Sequence, residues 1–429
     1  MATAAENDTA PRSVRATLWI LLVVYIFNFI DRQIVNILAE PIALDLGLSD
    51  TQIGLMTGLA FALFYTALGL PIARYADRPT TIRPKLIAIA LATWSVMTAL
   101  CGFAQNFVQL LLARIGVGVG EAGCTPPANS LISDMVPPER RSSALAFYAL
   151  GIPIGTLLGM MIGGFLADLF GWRMAFLIVG LPGIALALVV YFFLRDPRQI
   201  PGSAAQGHGQ SGTLSTGVAL RTVMGSRAFV LLLAAGSTAA FLGYGKVTWS
   251  TIFFQRTHDL SPGEVGFWFG VVNGAAGILG TWLGGYLADR FGARNRRHVL
   301  TTPAIGMAVA APIAFLAYQA STWQVALALL IVPTLCNSLY YGPTYSAAQG
   351  LVPLRARAIA AAAMLFFQNL IGLGLGPLFF GMLSDTLAPT YGEESVRYVL
   401  YGAAFLGLVP AFFFWRCSLR LDEELDRKG

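Results

Sequence analysis

Charge is what this 429-residue chain has least of. Asp, Glu, Lys and Arg make up 12% of it, against about 25% in a soluble globular protein. That excludes an ordinary water-soluble domain of this length. There are 3 His and 4 Cys. His208, His258 and His298 fall in expected loops, and no metal or catalytic role is read into them. Cys101, Cys124, Cys336 and Cys417 lie in or beside apolar stretches without CxxC or zinc spacing. They read as small buried residues, and no metal or cofactor is expected. GxxxxGK[ST], HExxH and GxSxG are absent, so neither direct ATP use nor intramembrane hydrolysis has a motif behind it. The ~10-residue alternating segments of a membrane β-barrel are missing as well. Residues 1–15 are polar and do not resemble a cleavable signal, so the first apolar stretch is expected to insert uncleaved.

Apolar sequence is what remains. Hydrophobic residues reach 56%, with 46 Gly and 28 Phe, and mean hydropathy is +0.66. The runs are ~20 residues or longer, which predicts an all-α polytopic membrane protein. Twelve spans are expected, near 16–40, 52–76, 84–104, 107–135, 142–168, 172–194, 228–254, 263–288, 298–318, 322–350, 356–384 and 396–418. With the amino terminus inside, 22 of the 28 basic residues fall on the inner side. Only Arg173, Arg256 and Arg397 fall in outer loops, which instead carry Asp45, Asp50, Asp259, Glu264, Glu393 and Glu394. Both termini are therefore expected in the cytoplasm. The net charge of +6 reflects this topology, and no nucleic-acid partner is expected. The domain reading is a tail (1–15), a six-helix bundle (16–194), a cytoplasmic linker (195–226) rich in Gly, Ser, Gln and Pro, a second bundle (227–418) and a tail (419–429).

The two halves repeat. LSDTQIG (48–54) matches LSPGEVG (260–266), and ARYADR (73–78) matches GYLADRFG (285–292). Both pairs are offset by 212 residues. VPPERR (136–141) matches VPLRAR (352–357), and Asp168 and Asp385 close the pattern. A duplicated six-span unit is a known architecture of secondary transporters, with the substrate site expected between the halves.

These motifs carry a resemblance. ARYADR with Arg83 and Lys85, and GYLADRFGARNRR, resemble the loop motif after spans 2 and 8 of the major facilitator superfamily. The first copy has Ala73 where Gly is usual. RIGVGVGEAG (114–123) resembles its span-4 motif, and FGWRMAF (170–176) its approach to span 6. More narrowly, NFIDRQ in span 1, GVGEAG, and PPANSLISDMVPPERR after it are similar to the Spinster family. The resemblance implies two six-helix bundles working by alternating access. It also implies a lysophospholipid or sphingoid-phosphate substrate and function as a monomer. Organic anion–cation symporters share an Asp-Arg pair in span 1 and a Glu-Ala pair in span 4, so a symporter of small organic acids stays open.

Asp31 and Arg32 lie inside span 1, where each charge costs at least ~2.5 kcal/mol on the most lenient scale. At ~1.5 Å per residue, Asp31, Arg32 and Arg114 share a depth slightly outside the midplane. Glu121 lies one or two turns nearer the cytoplasm and, seven residues from Arg114, on the same face. Arg stays protonated, whereas a carboxylate is neutralised by a proton or by an Arg. Protonating Asp31 would free Arg114 for an anionic head group. Asp31 and Glu121 are thus the expected proton-coupling residues; in the Spinster family the span-1 Asp and span-4 Glu are implicated in this way. Arg32 and Arg114 are expected to hold the head group. The alternative is a static neutral cluster that only fixes helix packing. Lys246 in span 7 either complements a head group or snorkels outward beside Trp249.

Tyr25, Asn28, Phe61, Tyr65, Tyr148, Asn337, Tyr340, Tyr341, Tyr345, Gln368 and Asn369 are candidates to line a cavity, or are ordinary packing. Asp77, Arg78 and Arg141, with Asp289, Arg290 and Arg357, are read as a latch that shuts the cytoplasmic gate when the carrier faces out; the alternative is topology alone. Span 5 (GIPIGTLLGMMIGG, 151–164) carries small residues every fourth position, which favours close helix packing. It lacks the Gly-Pro pair of the superfamily's antiporter motif. The expected function is proton-coupled transport, as symport, of a lysophospholipid or similar single-chain anionic amphiphile across a bacterial inner membrane. An exporter of drugs or amphiphiles and a non-transporting membrane sensor are the alternatives.

Overall fold

In lipid every backbone N–H and C=O must be bonded within the protein, which leaves helices as the form for such apolar runs. The computed structural model describes residues 12–199, 216–353 and 356–426. Half of the linker, the start of the amino-terminal tail and the last residues of the carboxyl-terminal tail lie outside the described residues. Ten helical stretches are long and apolar enough to cross a membrane. Spans 1 to 4 are Val14–Ile37, Asp50–Ala76, Arg83–Cys101 and Phe107–Met135. Spans 7 to 10 are Arg227–His258, Pro262–Gly292, His298–Gln319 and Trp323–Gly350.

The other two stretches, Pro138–Gln199 and Ile359–Leu421, run to 62 and 63 residues, about twice what one crossing needs. Each breaks in its middle. Gly171 has φ 77° and Gly392 φ 59°, a region open to glycine at no steric cost. They therefore divide into spans 5 and 6, and spans 11 and 12, giving the twelve crossings expected. The repeat is visible in local chemistry too. Ser49 and Ser261, 212 residues apart, each cap a helix start in a reciprocal capping box, with Gln52 and Glu264 bonding back.

The contacts divide the chain into two compact units. One holds residues 1–34 and 64–209, the other residues 35–63 and 210–429. In the first unit the glycine stripe of span 5 lies on span 1. A Cβ on Gly155 would sit 2.5 Å from Ile26 O, and one on Gly159 2.9 Å from Ile30 Cα. The small-residue spacing therefore works as close packing. Span 4 meets span 3 the same way, since a Cβ on Gly120 would come within 2.6 Å of Trp94 N. That approach sets Glu121 against span 3.

In the second unit, Phe229, Leu232, Leu300, Met307, Met364 and Phe414 belong to one buried core. Residues 35–63 belong here because spans 2 and 11 touch backbone to backbone. A Cβ on Gly54 would meet Pro377 O at 2.4 Å, and one on Gly58 would meet Gly374 O at 2.7 Å. Both helices widen to π-helix at the crossing, over Leu55–Leu59 and Gln368–Leu375. Such widened turns are rare and concentrate at functional sites.

Candidate functional site

Four charges are buried together in the first unit. Asp31, Arg114 and Glu121 are at most 1% exposed. Arg32 Nε donates to Glu121 Oε2 at 2.6 Å, and its guanidinium stacks 4.4 Å from the Tyr65 ring centroid and 5.0 Å from that of Phe29. Asp31 faces Glu121 and Arg114 from span 4, and Thr98 and Trp94 from span 3. With both acids ionised the cluster is neutral, which is what its burial requires.

The bonding is incomplete. Asp31 Oδ1, Glu121 Oε1 and both amide atoms of Asn28 make no hydrogen bond among the described residues. A buried carboxylate oxygen left so is costly, and a proton on the carboxyl would remove the cost of burying its charge. The cluster thus has two acids able to take a proton and two cations that stay charged.

Side-chain reach corrects the depth reading in one respect. Glu121, and not the adjacent Asp31, is the ion-pair partner of Arg32. Tyr25 stacks on Tyr148 at 4.3 Å. Tyr148 is 3% exposed and Asn28 0%, so the pair and Asn28 pack beneath the cluster and present little open surface. Phe61, 1% exposed, is a packing residue in the second unit and not a lining one.

In this conformation the loop motifs make local contacts. Arg78 stacks on Tyr75 of its own helix at 5.5 Å, and Arg290 donates to Tyr286 of its own at 2.7 Å. Arg357 donates to Gln349 O at 3.1 Å. Among the described residues Arg141 meets no carboxylate and Asp289 no cation. Arg78 and Arg290 have a tyrosine one turn away, and Arg357 has a carbonyl at the end of the preceding helix. Asp77 instead accepts from Ser130 at 3.3 Å.

Ser130 belongs to a network that the sequence did not reveal. Arg83, 0% exposed, reaches Asp196 by Nε at 2.9 Å and by Nη2 at 2.5 Å, and Asp134 by Nη1 at 2.7 Å. Arg198 shares Asp134 at 2.7 Å. The start of the linker is thereby tied to spans 3 and 4.

In the second unit Lys246 is half-buried and makes no hydrogen bond or ion pair among the described residues. Trp249 is fully buried, and its Nε1 donates to Pro377 O at 2.9 Å; it is not an interface residue beside which Lys246 could snorkel. Tyr340 and Tyr341 stack at 4.4 Å, and Tyr341 keeps 43% of its surface exposed. Tyr345 donates to Gln368 Oε1 at 2.8 Å where the π-helical turn begins. Asn337 and Asn369 are half-buried.

A second charged cluster in this unit went unnoticed in the sequence, because Asp50 and Arg256 read as loop charges and Glu40 as the end of span 1. Arg256 holds Asp50 with both Nη atoms, at 3.0 and 2.8 Å, and Glu40 with Nε at 2.8 Å. Asp50 also accepts from Ser384 at 2.5 Å. Asp385 accepts from the backbone N–H of Asp50 and Thr51 at 3.0 and 2.8 Å. Thr248 and Thr251 donate to Asn36 at 2.9 and 3.0 Å. Residues 36–51 are clasped to spans 7 and 11 by these bonds.

The model of the Major Facilitator Superfamily matches residues 21–377. The chain belongs to that superfamily. Within it the transporter is spinster-like. A solved bacterial homolog of the human lysosomal transporter Spinster, in an inward-facing and unoccupied conformation, superposes with TM-score 0.87 at 30% identity, covering 97% of this chain and 99% of that one. An MFS-type efflux pump of Mycolicibacterium smegmatis is 34% identical over 416 residues, 97% of this chain and 95% of the pump. Human protein spinster homolog 1 is 26% identical over 435 residues, 95% of this chain and 81% of that protein. This superfamily member is a multi-pass membrane transporter and not an enzyme.

Proposed function

We propose that this spinster-like transporter couples proton movement to that of a lysophospholipid or similar single-chain anionic amphiphile, by alternating access in a bacterial cytoplasmic membrane. The observation that carries the proposal is the buried neutral cluster whose acids keep unbonded oxygens, Asp31 Oδ1 and Glu121 Oε1. A proton on Asp31 leaves the cluster with one uncompensated positive charge. An anionic head group then becomes the favoured counter-ion of Arg114. A proton on Glu121 loosens its hold on Arg32 in the same way. Loss of the proton restores the internal pairs and expels the head group. Each state change needs only a differential affinity for the anion.

Lys246 and the exposed face of Tyr341 are the proposed contribution of the second half, the lysine to a head group and the ring to an acyl chain. Outward movement is the second reading, favoured by the likeness to the efflux pump of M. smegmatis. Small organic acids are the substrate alternative.

The test is flux. Purified protein in proteoliposomes, with an imposed pH gradient, is given lysophosphatidylglycerol, lysophosphatidylethanolamine or short carboxylic acids. Lysolipid movement that follows the gradient supports the proposal. Binding without movement would indicate a sensor, and movement of acids alone would replace the substrate class.

A further inference from the structure

Span 7 begins and span 12 ends at one shallow groove of about 320 Å³, lined by Met224, Arg227, Val230, Leu231, Arg416 and Arg420. Three guanidinium groups converge there. Among the described residues none of the three makes an ion pair. The described carboxylate next to them, Glu424, is already occupied: it accepts from Ala228 N at 2.8 Å and from Ser226 Oγ. Among the described residues the groove therefore carries uncompensated positive charge, at the arginine-rich ends of the spans that the positive-inside bias assigns to the cytoplasm.

The surroundings are those of a lipid and not of a soluble anion. Arg416 and Arg420 are one turn apart on one face of span 12, and Phe412, 53% exposed, is one turn deeper on that face. Val230, 40% exposed, lies one turn deeper than Arg227 on span 7. Trp415, 46% exposed, sits beside Arg416 at the level where tryptophans mark the head-group region. Charge lies at the helix ends and open apolar surface lies just below.

The repeat supplies an internal comparison. Arg15, Leu18 and Trp19 stand 212 residues before Arg227, Val230 and Leu231, and they too line a depression, of about 450 Å³, with Phe147. That first-half depression has one arginine where the second has three. The apolar floor is common to both halves; the cationic rim is particular to the second.

We infer that the groove between spans 7 and 12 is a binding site for a resident two-chain anionic phospholipid of the cytoplasmic leaflet. Its phosphate meets Arg227, Arg416 and Arg420, and its acyl chains lie along Val230 and Phe412. The site is separate from the buried cluster and stands or falls independently of the transported substrate.

Native mass spectrometry of the detergent-purified protein, offered phosphatidylglycerol against phosphatidylethanolamine, tests it. The wild type is expected to keep about one phosphatidylglycerol in preference. R416Q/R420Q should lose that preference by about tenfold or more, while R416K/R420K and R15Q keep it. Equal retention of both lipids by the wild type overturns the inference, even if the glutamine variant does not fold. So does unchanged retention in R416Q/R420Q, equal loss in R15Q, or displacement of the lipid by millimolar inorganic phosphate.

Discussion

The two buried charge clusters are built on opposite plans. The clasp around Arg256 is saturated: Asp50, Glu40 and Asp385 accept from guanidinium, hydroxyl or backbone donors in good geometry. The cluster around Asp31 is balanced in charge but short of hydrogen bonds. A saturated network resists any change of partner, whereas an under-bonded one gains from a proton or an incoming anion. The first suits holding helix ends together, and the second suits exchange.

Substitutions sharpen that contrast, beginning with the largest effect. Asp31→Asn removes a titrating group at nearly unchanged size and stands in for the protonated acid. Flux driven by a pH gradient in proteoliposomes should fall about tenfold or more in protein that still folds. Retained pH-driven flux in that variant would sink the coupling scheme. Glu121→Gln strips the buried Arg32 of its carboxylate, and a stability loss of about 3–5 kcal/mol is expected in thermal unfolding. A loss as small as that of an exposed pair would mean that Arg32 has another counter-charge.

Arg256→Gln should cost about 3 kcal/mol, because it leaves Asp50 and Glu40 facing each other. Arg256→Lys should recover part of this, since one ammonium cannot hold both acids bidentately. Outer-side labelling of a cysteine placed at position 48 should speed up in the glutamine variant; an unchanged rate would separate the clasp from any gating role. Lys246→Gln should be the mildest, weakening amphiphile binding by about tenfold, or about 1.4 kcal/mol, without loss of stability. If binding is unaffected, Lys246 contributes nothing to the substrate.

Much of the fold was legible because lipid enforces a strong, simple rule: long apolar runs become helices. Span positions followed, and so did the repeat that recurs as two capping boxes. Asp31, Arg32, Arg114 and Glu121 stood out for the same reason, since a charge in an apolar run needs explaining. Residues whose charge is ordinary in a loop gave no such signal. Arg83, Asp134 and Asp196 on one side, and Glu40, Asp50 and Arg256 on the other, were hidden among them. Arg256 is one of three arginines that depart from the positive-inside bias, and its acid partners account for it.

The sequence by itself determined the number of crossings, the duplication and the identity of the four intramembrane charges, because burial in lipid penalises every departure from pattern. Only the tertiary structure decided who pairs with whom. Arg32 takes Glu121 although Asp31 is its neighbour in the chain, because adjacent helical residues diverge by about 100° and span 4 is drawn close at Gly120. It also decided that residues 35–63 pack with the second half of the chain, since the glycine-to-carbonyl approach at Gly54 and Gly58 and the bonds to Arg256 and Asp385 are properties of three-dimensional fit.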